Sequence, residues 1–333
     1  MTEAATENPV VQEDLEQFIS TFGRLRSELQ RVMVGQGELI EHVLTAFVIG
    51  EHVLLEGVPG LGKTLLVKTL SDVADISFGR IQFTPDLMPA DIVGTNMLAE
   101  GDDGKRSFEF QPGPIFHNIV LADEINRATP KTQSALLQAM QERIVTVGSE
   151  THTLAPPFLV LATQNPLENE GTYPLPEAQL DRFVFKLLVE YPTFDDMEEI
   201  LRRTTDKELP ELDTVCHGED LLKMRQTARK ILVADAVRKQ VIQLVMGTHP
   251  DNEFAADSVK RYVRCGASPR AAQAIINSAK VYALLDQRVH VAWEDVVRVA
   301  RPVLRHRMLL NFEAQANGVP ADTVLDELIA TVA

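Results

Sequence analysis

Residues 57–64, GVPGLGKT, restrict what this chain can fold into more than any other segment. The eight letters match the phosphate-binding pattern of Gly, four residues, Gly, Lys and Ser or Thr. The apolar run HVLLEG at 52–57 leads into the pattern, and LLVKTL at 65–70 follows it with helical spacing. A strand, a loop and a helix in this order are what phosphate binding requires, so the segment predicts a nucleotide site in an α/β fold.

The loop predicts a task for each of its residue types. Its glycines let successive backbone N–H groups and a helix N-terminus point at the β- and γ-phosphates of a nucleotide. The ammonium of Lys63 then neutralises those phosphates, and the hydroxyl of Thr64 ligates Mg²⁺. The alternative interpretation is a Gly-rich turn with an exposed lysine. We expect the nucleotide to contact Gly57, Val58, Pro59, Gly60, Leu61, Gly62, Lys63, Thr64 and Leu65.

Length and composition indicate a two-domain globular protein. The 333 residues exceed the usual size of one hydrophobic core, and the hydrophobic content of 45% and charged content of 24% are ordinary for a soluble chain. No run reaches the about 18 apolar residues that a membrane helix needs. The acidic start lacks the features of a secretion signal, so we expect a cytoplasmic protein in which Cys216 and Cys265 are reduced thiols.

The net charge of −16 disfavours nucleic acid as a partner, because such binding relies on neutralising phosphates with basic side chains. The charge is unevenly spread. Between Lys260 and Leu310 there are ten Lys or Arg residues and three Asp or Glu residues, an excess of 10 − 3 = +7. This basic sector could dock onto another copy of the chain in a ring or bind an acidic ligand. A solvated helical face is the simpler interpretation.

The spacing of apolar residues predicts helices and strands over the first two thirds of the chain. The small, polar residues 1–9 predict a disordered start, and amphipathic helices are predicted at 13–34 and 37–50. From 52 to about 189, short apolar runs alternate with helical segments, as in a mostly parallel sheet covered by helices. The candidate core strands are 52–57, 79–84, 118–123 and 158–165.

Two segments do not follow the alternation of strand and helix. Residues 95–110 place GDDG between two alternating runs, and residues 146–154 place GSE between two others, so both predict β-hairpins inserted in the α/β layer. Beyond Pro192 the pattern is helical and rich in arginine. We therefore predict a nucleotide-binding core at 10–192 and an all-α domain at 193–333.

Hydrolysis needs a carboxylate for the metal and a group that polarises water. Asp123 and Glu124 end the apolar run NIVLAD and begin the next segment, which is where the first can reach the metal and the second can reach an attacking water. They could instead cap the following helix. Asn165 ends the next apolar run, where its amide could orient the water or touch the γ-phosphate; alone, an Asn before Pro is usually a turn residue.

Together the motifs GVPGLGKT, LADEINRA, LATQNP, EGTYPLPEAQLDRF and GASPRA closely resemble the MoxR family of AAA+ ATPases. The resemblance runs from about residue 34 to the end of the chain. It implies ATP and Mg²⁺ as the bound groups, a P-loop core in which the two hairpins correspond to the family's helix-2 insert and pre-sensor-1 hairpin, and a C-terminal helical lid.

The resemblance also implies roles for individual residues. Asp123 corresponds to the Walker B acid that holds magnesium, Glu124 to the base that activates water, and Asn165 to sensor 1. Arg182, in LDRF, stands where related ring ATPases carry an arginine finger, and Arg270, in GASPRA, resembles sensor 2 of the lid. The alternatives are a local ion pair between Arg182 and its neighbour Asp181, and a surface arginine at a helix start for Arg270. Whether Arg270 would act on its own nucleotide or on a neighbour's stays open.

Three further placements follow from the same resemblance. Val34, Gly35 and Gln36 resemble the segment before the first core helix that contacts adenine in the family. Arg127 could face a neighbouring subunit or be a solvated arginine at a helix start. A polar residue of the second strand could restrain Glu124 until a client binds, with Gln82 and Thr84 as the candidates.

The resemblance favours a homo-oligomeric machine, as a hexameric ring, in which ATP hydrolysis to ADP and phosphate remodels or matures a protein client. MoxR-type proteins are similar in acting as chaperone-like factors, often beside partners with von Willebrand factor A domains, in enzyme maturation or cofactor and metal insertion.

Two other functions compete with the remodelling machine. A helicase-like nucleic-acid motor is opposed by the net charge and by the non-basic hairpin tip GSETH, although GDDGKR includes Lys105 and Arg106. A scaffold that binds but does not hydrolyse ATP is opposed by the presence of Asp123, Glu124 and Arg182.

Overall fold

A computed structural model describes residues 11–100, 106–167, 171–205 and 210–332. The predicted disordered start and the GDDG turn lie outside these residues. The helices are α1 Gln12–Val32, α2 Gly37–Ile49, α3 Lys63–Val73, α4 Pro89–Val93, α5 Pro130–Glu142, α6 Glu177–Leu180, α7 Phe194–Thr205, α8 Gly218–Arg229, α9 Asp235–Met246, α10 Asp257–Tyr262, α11 Pro269–Leu285, α12 Trp293–Leu304, α13 Phe312–Ala316 and α14 Ala321–Val332. The strands are β1 His52–Glu56, β2 Phe78–Gln82, β3 Gly94–Glu100, β4 Arg106–Pro112, β5 Ile119–Asp123, β6 Ile144–Val147, β7 Glu150–Thr153, β8 Leu159–Gln164, β9 Phe183–Leu188, β10 Val263–Cys265 and β11 Leu309–Leu310.

Five of the strands form one parallel sheet in the order β2-β5-β8-β1-β9. The central strands are buried on both faces, as the unbroken apolar runs of a parallel sheet require. Val53 packs into one hydrophobic cluster and the next residue, Leu54, into the other, because successive side chains of a strand point to opposite faces. The predicted α/β core with a mostly parallel sheet is therefore confirmed.

The fifth strand, β9, was not among the predicted core strands. Its sequence FVFKLL follows Asp181 and Arg182 without a Gly or Pro between them, so the sequence carries no turn signal that would set it apart. The strand pairs with β1 at the border of the sheet, and Phe183 and Phe185 are completely buried. Tertiary pairing therefore defines an element that local pattern does not mark.

Both predicted hairpins are present. β3 pairs with β4 and β6 pairs with β7, each in antiparallel register. The hairpins touch each other through a stack of the Phe110 and His152 rings, whose centroids lie 4.0 Å apart. The two inserts therefore form one layer beside the sheet.

The C-terminal region is helical, as predicted, with one difference. Two short strands, β10 and β11, pair antiparallel in a domain that the sequence predicts to be all α. The helical region packs against α2 in a shared hydrophobic cluster, and the Tyr282 hydroxyl of α11 lies 2.8 Å from Nδ1 of buried His42. No helix in the described ranges is long and apolar enough to cross a membrane.

Most basic residues of the sector at 260–310 form ion pairs within the molecule. Some of its arginines hold the helical region on the core: Arg307 binds Asp181, and Arg264 lies 3.7 Å from Glu177. Other ion pairs stay within the sector or reach the final helices, and these join Lys260 to Asp257, Arg261 to Glu313, Arg288 to Asp286 and Asp295, Arg298 to Asp286, Arg301 to Asp326, and Arg305 to Asp322.

Candidate functional site

The carboxyl ends of the parallel strands gather several of the predicted site residues at one border of the sheet. β1 leads into the loop 57–64, β5 ends at Asp123 and continues into Glu124, and β8 leads into Asn165. Parallel strands end on the same side, which is where α/β sheets bind their ligands. We call the loop 57–64 with Asp123, Glu124 and Asn165 the phosphate edge.

The loop at the phosphate edge has the conformation that its glycines predict. Gly62 has φ +75° and is the N-cap of α3, so the backbone turns through the left-handed region just before the helix begins. A Cβ on Gly57 would lie 2.8 Å from the Cβ of Val189, because the loop passes directly over the chain that leaves β9. The Gly57 amide donates to the carbonyl of Gln164 over 3.2 Å, which ties the loop to the end of β8.

Lys63 lies across this loop. Its ammonium donates to the carbonyl oxygens of Gly57 and Val58, both over 2.8 Å. Burial lowers the pKa of Lys63, and the nearby carboxylates of Asp123 and Glu124 oppose that shift. The ammonium therefore lies within electrostatic reach of both predicted catalytic acids.

Asp123 is oriented by two partners that the sequence analysis did not single out. The hydroxyl of Thr163, on β8, donates to Oδ1 over 2.7 Å, and Arg80, on β2, donates to Oδ2 over 2.7 Å. Thr163 is buried, and its hydroxyl also accepts the backbone N–H of Glu124 over 2.8 Å. One threonine thus fixes both members of the acid pair.

Glu124 follows the strand with a left-handed backbone, φ 56° and ψ 50°. Such a conformation is uncommon outside glycine and is held here by the neighbouring contacts. Oε2 accepts from Nε2 of Gln82 over 2.9 Å and from Nη1 of Arg127 over 3.0 Å. Of the two second-strand candidates, Gln82 is the residue that contacts Glu124, and Arg127 faces the acid of its own chain.

Asn165 is buried, with 8% of its surface exposed. Its side-chain oxygen accepts the backbone N–H of Leu167 over 3.1 Å, which is the turn contact expected of an Asn before Pro. The residue nevertheless lies at the phosphate edge, one position beyond the carbonyl that binds Gly57. Both interpretations of Asn165 are therefore compatible with its position.

An apolar cavity of about 430 Å³ opens beside the phosphate loop. Val34 and Gln36 line it, as the predicted base-contacting segment requires, whereas Gly35 lies against Asp196 and lines a different cavity. Five of the residues predicted to contact the nucleotide also line the apolar cavity: Pro59, Gly60, Leu61, Gly62 and Leu65. The sequence analysis missed other apolar residues of the wall, which include Met33, Tyr191, Pro192, Met197 and Ile200. Its size and apolar lining suit the base of a nucleotide whose phosphates reach the loop.

The opposite border of the sheet carries the two predicted arginines. Arg182 directly precedes β9, and Arg270 lies in the first turn of α11. Both line a cavity of about 300 Å³ together with Glu51, Asp181, Arg143 and Arg307. We call these six residues the arginine edge.

The predicted local ion pair between Arg182 and Asp181 is not what the structure shows. Asp181 accepts from Arg307 over 2.8 Å and from the Ser268 hydroxyl over 2.8 Å. Nε of Arg182 is buried without a hydrogen-bond partner among the described residues. Burial lowers the pKa of Arg182, and the charge of Arg270 lowers it further.

The sequence analysis also missed most of the arginine edge. Glu51 lines the cavity there, and desolvation raises its pKa against the opposing charges of Arg143 and other arginines. Arg143 donates to the carbonyls of Gly50 and Phe158. These residues belong to no phosphate-binding or acid motif, and only the folded chain brings them beside Arg182.

Comparisons with known proteins agree with this architecture. A family model described as "ATPase family associated with various cellular activities (AAA)" matches residues 52–185, and an AAA lid domain model matches residues 255–328. A crystal structure of a candidate ATPase from Cytophaga hutchinsonii superposes with a TM-score of 0.90 at 40% identity, covering 97% of each chain. The predicted division near residue 192 falls between the two matched ranges.

Curated relatives identify the branch of the family. The chain is 43% identical over 321 residues to Chaperone MoxR1 of Mycobacterium tuberculosis, covering 96% of this chain and 84% of that protein. It is 42% identical over 324 residues to the uncharacterised YeaC of Bacillus subtilis, with 96% of each covered. Protein MoxR of Paracoccus denitrificans is 29% identical over 334 residues, with 93% and 95% covered. This chain belongs to the MoxR family of AAA+ ATPases.

Proposed function

We propose that this chain hydrolyses ATP with Mg²⁺ at sites shared between adjacent copies of a hexameric ring, and that the cycle remodels a protein client. The observation that carries the proposal is the separation of the phosphate edge from the arginine edge. β1 joins the two borders and spans about 15 Å at the usual rise of a parallel strand. Arg182 and Arg270 therefore lie at the border of the sheet opposite the phosphate loop of their own chain.

The phosphate edge supplies the binding half of such a site. Thr64 and Asp123 would hold the magnesium ion, which neutralises charge on the phosphates when bound. No group of three or more His, Cys, Asp or Glu side chains in the described ranges could hold a metal ion by itself. That fits Mg²⁺, which proteins usually bind with one or two carboxylates together with substrate phosphates and water.

In the proposed reaction, Glu124 would act on the attacking water. Its carboxylate would accept a proton from that water as the water approaches the γ-phosphate, and Asn165 would orient the same water. In the structure the carboxylate is instead bound by Gln82 and Arg127. The acid is thus in a restrained state, which suits an enzyme whose turnover awaits a client.

The arginine edge supplies the second half. Four arginines line its cavity against two carboxylates, and this excess of positive charge suits the phosphates of a neighbour's nucleotide. A guanidinium supplied from an adjacent subunit stabilises the charge on the transferred phosphoryl group. In a head-to-tail ring each copy would offer its arginine edge to the phosphate edge of the next.

A protein client is the best-supported partner. A relative covering nearly the whole chain is a chaperone by its name, MoxR1. The first hairpin also presents an apolar cross-strand pair, Leu98 opposite Phe108, with 57% and 77% of their surfaces exposed. Exposed apolar pairs suit contact with a protein segment. Maturation of an enzyme beside a partner with a von Willebrand factor A domain, including cofactor or metal insertion, is the proposed setting.

The substitution Glu124→Gln tests the proposal. It keeps the size of the side chain and its position beside Gln82 but removes the base, so ATP binding should persist while turnover falls by about 10²- to 10⁴-fold. Glu150→Gln, in the exposed turn of the second hairpin, is the matched control and should leave turnover unchanged. Unaltered turnover in Glu124→Gln would reject the proposed ATP hydrolysis with Glu124 as the base. A chain that stays strictly monomeric with ATP at micromolar concentration would reject the proposed sharing of sites between copies.

A further inference from the structure

One carboxylate, Asp181, joins three parts of the chain at the arginine edge. Oδ1 accepts from Nε of Arg307 over 2.8 Å, and Oδ2 accepts from the hydroxyl of Ser268 over 2.8 Å. Nε of Arg270 lies 3.9 Å from the same Oδ2. Asp181 itself immediately precedes Arg182, so its carboxylate connects the chain segment that carries Arg182 with the start of the helix that carries Arg270.

Arg307 is buried at this junction and is held there by several hydrogen bonds. Its side chain is 3% exposed and also donates to the backbone carbonyls of Asp181, Phe183 and Val184. Burial lowers the pKa of Arg307, and the charge of Asp181 opposes that shift. An arginine held by this many contacts anchors the lid to the start of β9 and is not available to a ligand.

Ser268 connects Asp181 with the first turn of α11. It is the N-cap of that helix, and its hydroxyl oxygen accepts the backbone N–H of Arg270 over 3.2 Å while the hydroxyl proton goes to Asp181. An N-cap contact sets where a helix begins and how it is aimed. The carboxylate of Asp181 therefore helps to define the place from which Arg270 projects.

We propose that Asp181 is a positioning residue that holds Arg182 and Arg270 side by side as one unit for the phosphates of the neighbouring subunit. The inference rests on the proposed shared site and adds a residue to it. The two guanidiniums repel each other, since each is a cation with no proton to give up near neutral pH. The carboxylate offsets this repulsion and links the lid, through Arg307 and Ser268, to the chain segment that carries Arg182.

Asp181→Asn is the first variant because it keeps the shape of the side chain and removes its charge. Misplacing a group in a reaction site can cost about 10²-fold in rate, so we expect kcat to fall by about 10- to 100-fold. KM for ATP should stay near that of the original chain, because the phosphate edge of the same molecule is untouched. The thermal stability should fall, because the buried Arg307 loses its charged partner. An unchanged kcat would overturn the proposal, and so would a loss confined to KM.

Mixing two impaired chains shows which molecule needs Asp181. Lys63→Ala disables the phosphate edge and leaves the arginine edge intact, whereas Asp181→Asn does the reverse. In a head-to-tail ring formed from equal amounts, about a quarter of the interfaces combine an intact phosphate edge with an intact arginine edge. We expect about that fraction of the original turnover to reappear on mixing.

A parallel mixture separates this proposal from the shared site itself. Arg182→Ala with Lys63→Ala should recover activity if the site is shared at all. Recovery there but not with Asp181→Asn rejects the role of Asp181 and leaves the shared site standing, whereas failure of both mixtures rejects the shared site as well. If Asp181→Asn does not fold, Ser268→Ala takes its place; it removes one contact and should lower kcat in the same direction, and unchanged kcat would again overturn the proposal.

Discussion

The two borders of the parallel sheet are built in different ways. The phosphate edge comes from short segments that directly follow strands, and its central loop is one unbroken motif. The arginine edge is assembled from residues far apart in the chain, including Glu51, Arg143, Asp181 and Arg270. A site that follows strand ends can be found from local pattern, whereas a site made by docking a lid onto a core becomes visible only after folding.

The two borders also differ in how their charges are satisfied. At the phosphate edge, Asp123 and Glu124 are held by polar side chains from the neighbouring strand β2. At the arginine edge, charged side chains from distant parts of the chain line one cavity, and beside that cavity burial lowers the pKa of His52 to about 3. The acids of the first border are therefore held within the core, whereas the second border is part of the packed junction between lid and core.

Replacing one cation at each border should give the largest and most different effects. Lys63→Ala should remove nucleotide binding, whereas Arg182→Ala should leave binding intact and lower turnover by about 10³- to 10⁵-fold, the range for an arginine acting across an interface. Nucleotide affinity measured by fluorescence titration and steady-state phosphate release distinguish the two variants.

Arg182→Lys refines the same comparison. It keeps a positive charge but loses the planar fork of donors, so turnover should stay well below that of the original chain. Full activity in Arg182→Lys would show that charge alone suffices. Loss of nucleotide binding in Arg182→Ala would place the residue at the site of its own chain and break the distinction between the borders.

The difference between the two borders explains which parts of the site can be predicted from the sequence. The phosphate loop, Asp123 and Glu124 lie where their motifs predict, because strand, loop and helix are contiguous in the chain. Arg80 escaped notice, since its contact with Asp123 depends on β2 pairing with β5 in the register that sets Gln82 opposite Asp123. Pairing register is a tertiary property, and a polar residue in a strand does not reveal which neighbour it will meet.

The basic sector shows that the environment of a charged residue also depends on the tertiary structure. Its excess of ten basic over three acidic residues suggested docking or a solvated face, but Arg264, Arg270 and Arg307 bind acids that lie outside the counted range. Charge counted along a segment ignores what folding brings opposite it. The lid is held on the core by the same arginines that made the segment look like an external surface.

Acid should lower the free energy of unfolding through two histidines that lie beside the arginine edge. His52 and His306 are buried there as neutral rings, and burial lowers the pKa of His52 from 6.5 to about 3 and that of His306 in the same direction. Above pH 6.5 these two rings are neutral in both the folded and the unfolded chain, so they do not change the free energy of unfolding with pH. Below pH 6.5 the rings bind a proton only in the unfolded chain. The free energy of unfolding should therefore fall by about 1.4 kcal/mol per pH unit for each ring.

Urea unfolding between pH 7.5 and 5.5 measures this slope. The two rings together predict a loss of about 3 kcal/mol over that interval. His306→Gln keeps a donor for the Phe183 carbonyl, which Nε2 contacts over 3.0 Å, and should remove about half of the loss. His290→Gln, at an exposed position, should leave the slope as it is, and an equal slope in all three chains would show that the buried rings are not its source.

The smallest expected effect concerns the restraint on Glu124 at the phosphate edge. Gln82→Ala removes the amide that donates to Glu124 over 2.9 Å and also leaves Arg80 with Asp123 as its remaining partner in this group. Because one hydrogen bond contributes about 0.5 to 1.5 kcal/mol, turnover without a client should rise by about 2- to 10-fold. Thr84→Ala, the other polar candidate on this segment, should leave turnover unchanged. A rise in Thr84→Ala alone would transfer the restraint to that residue, and a fall in Gln82→Ala would mean that the amide positions Glu124 for the reaction instead of holding it back.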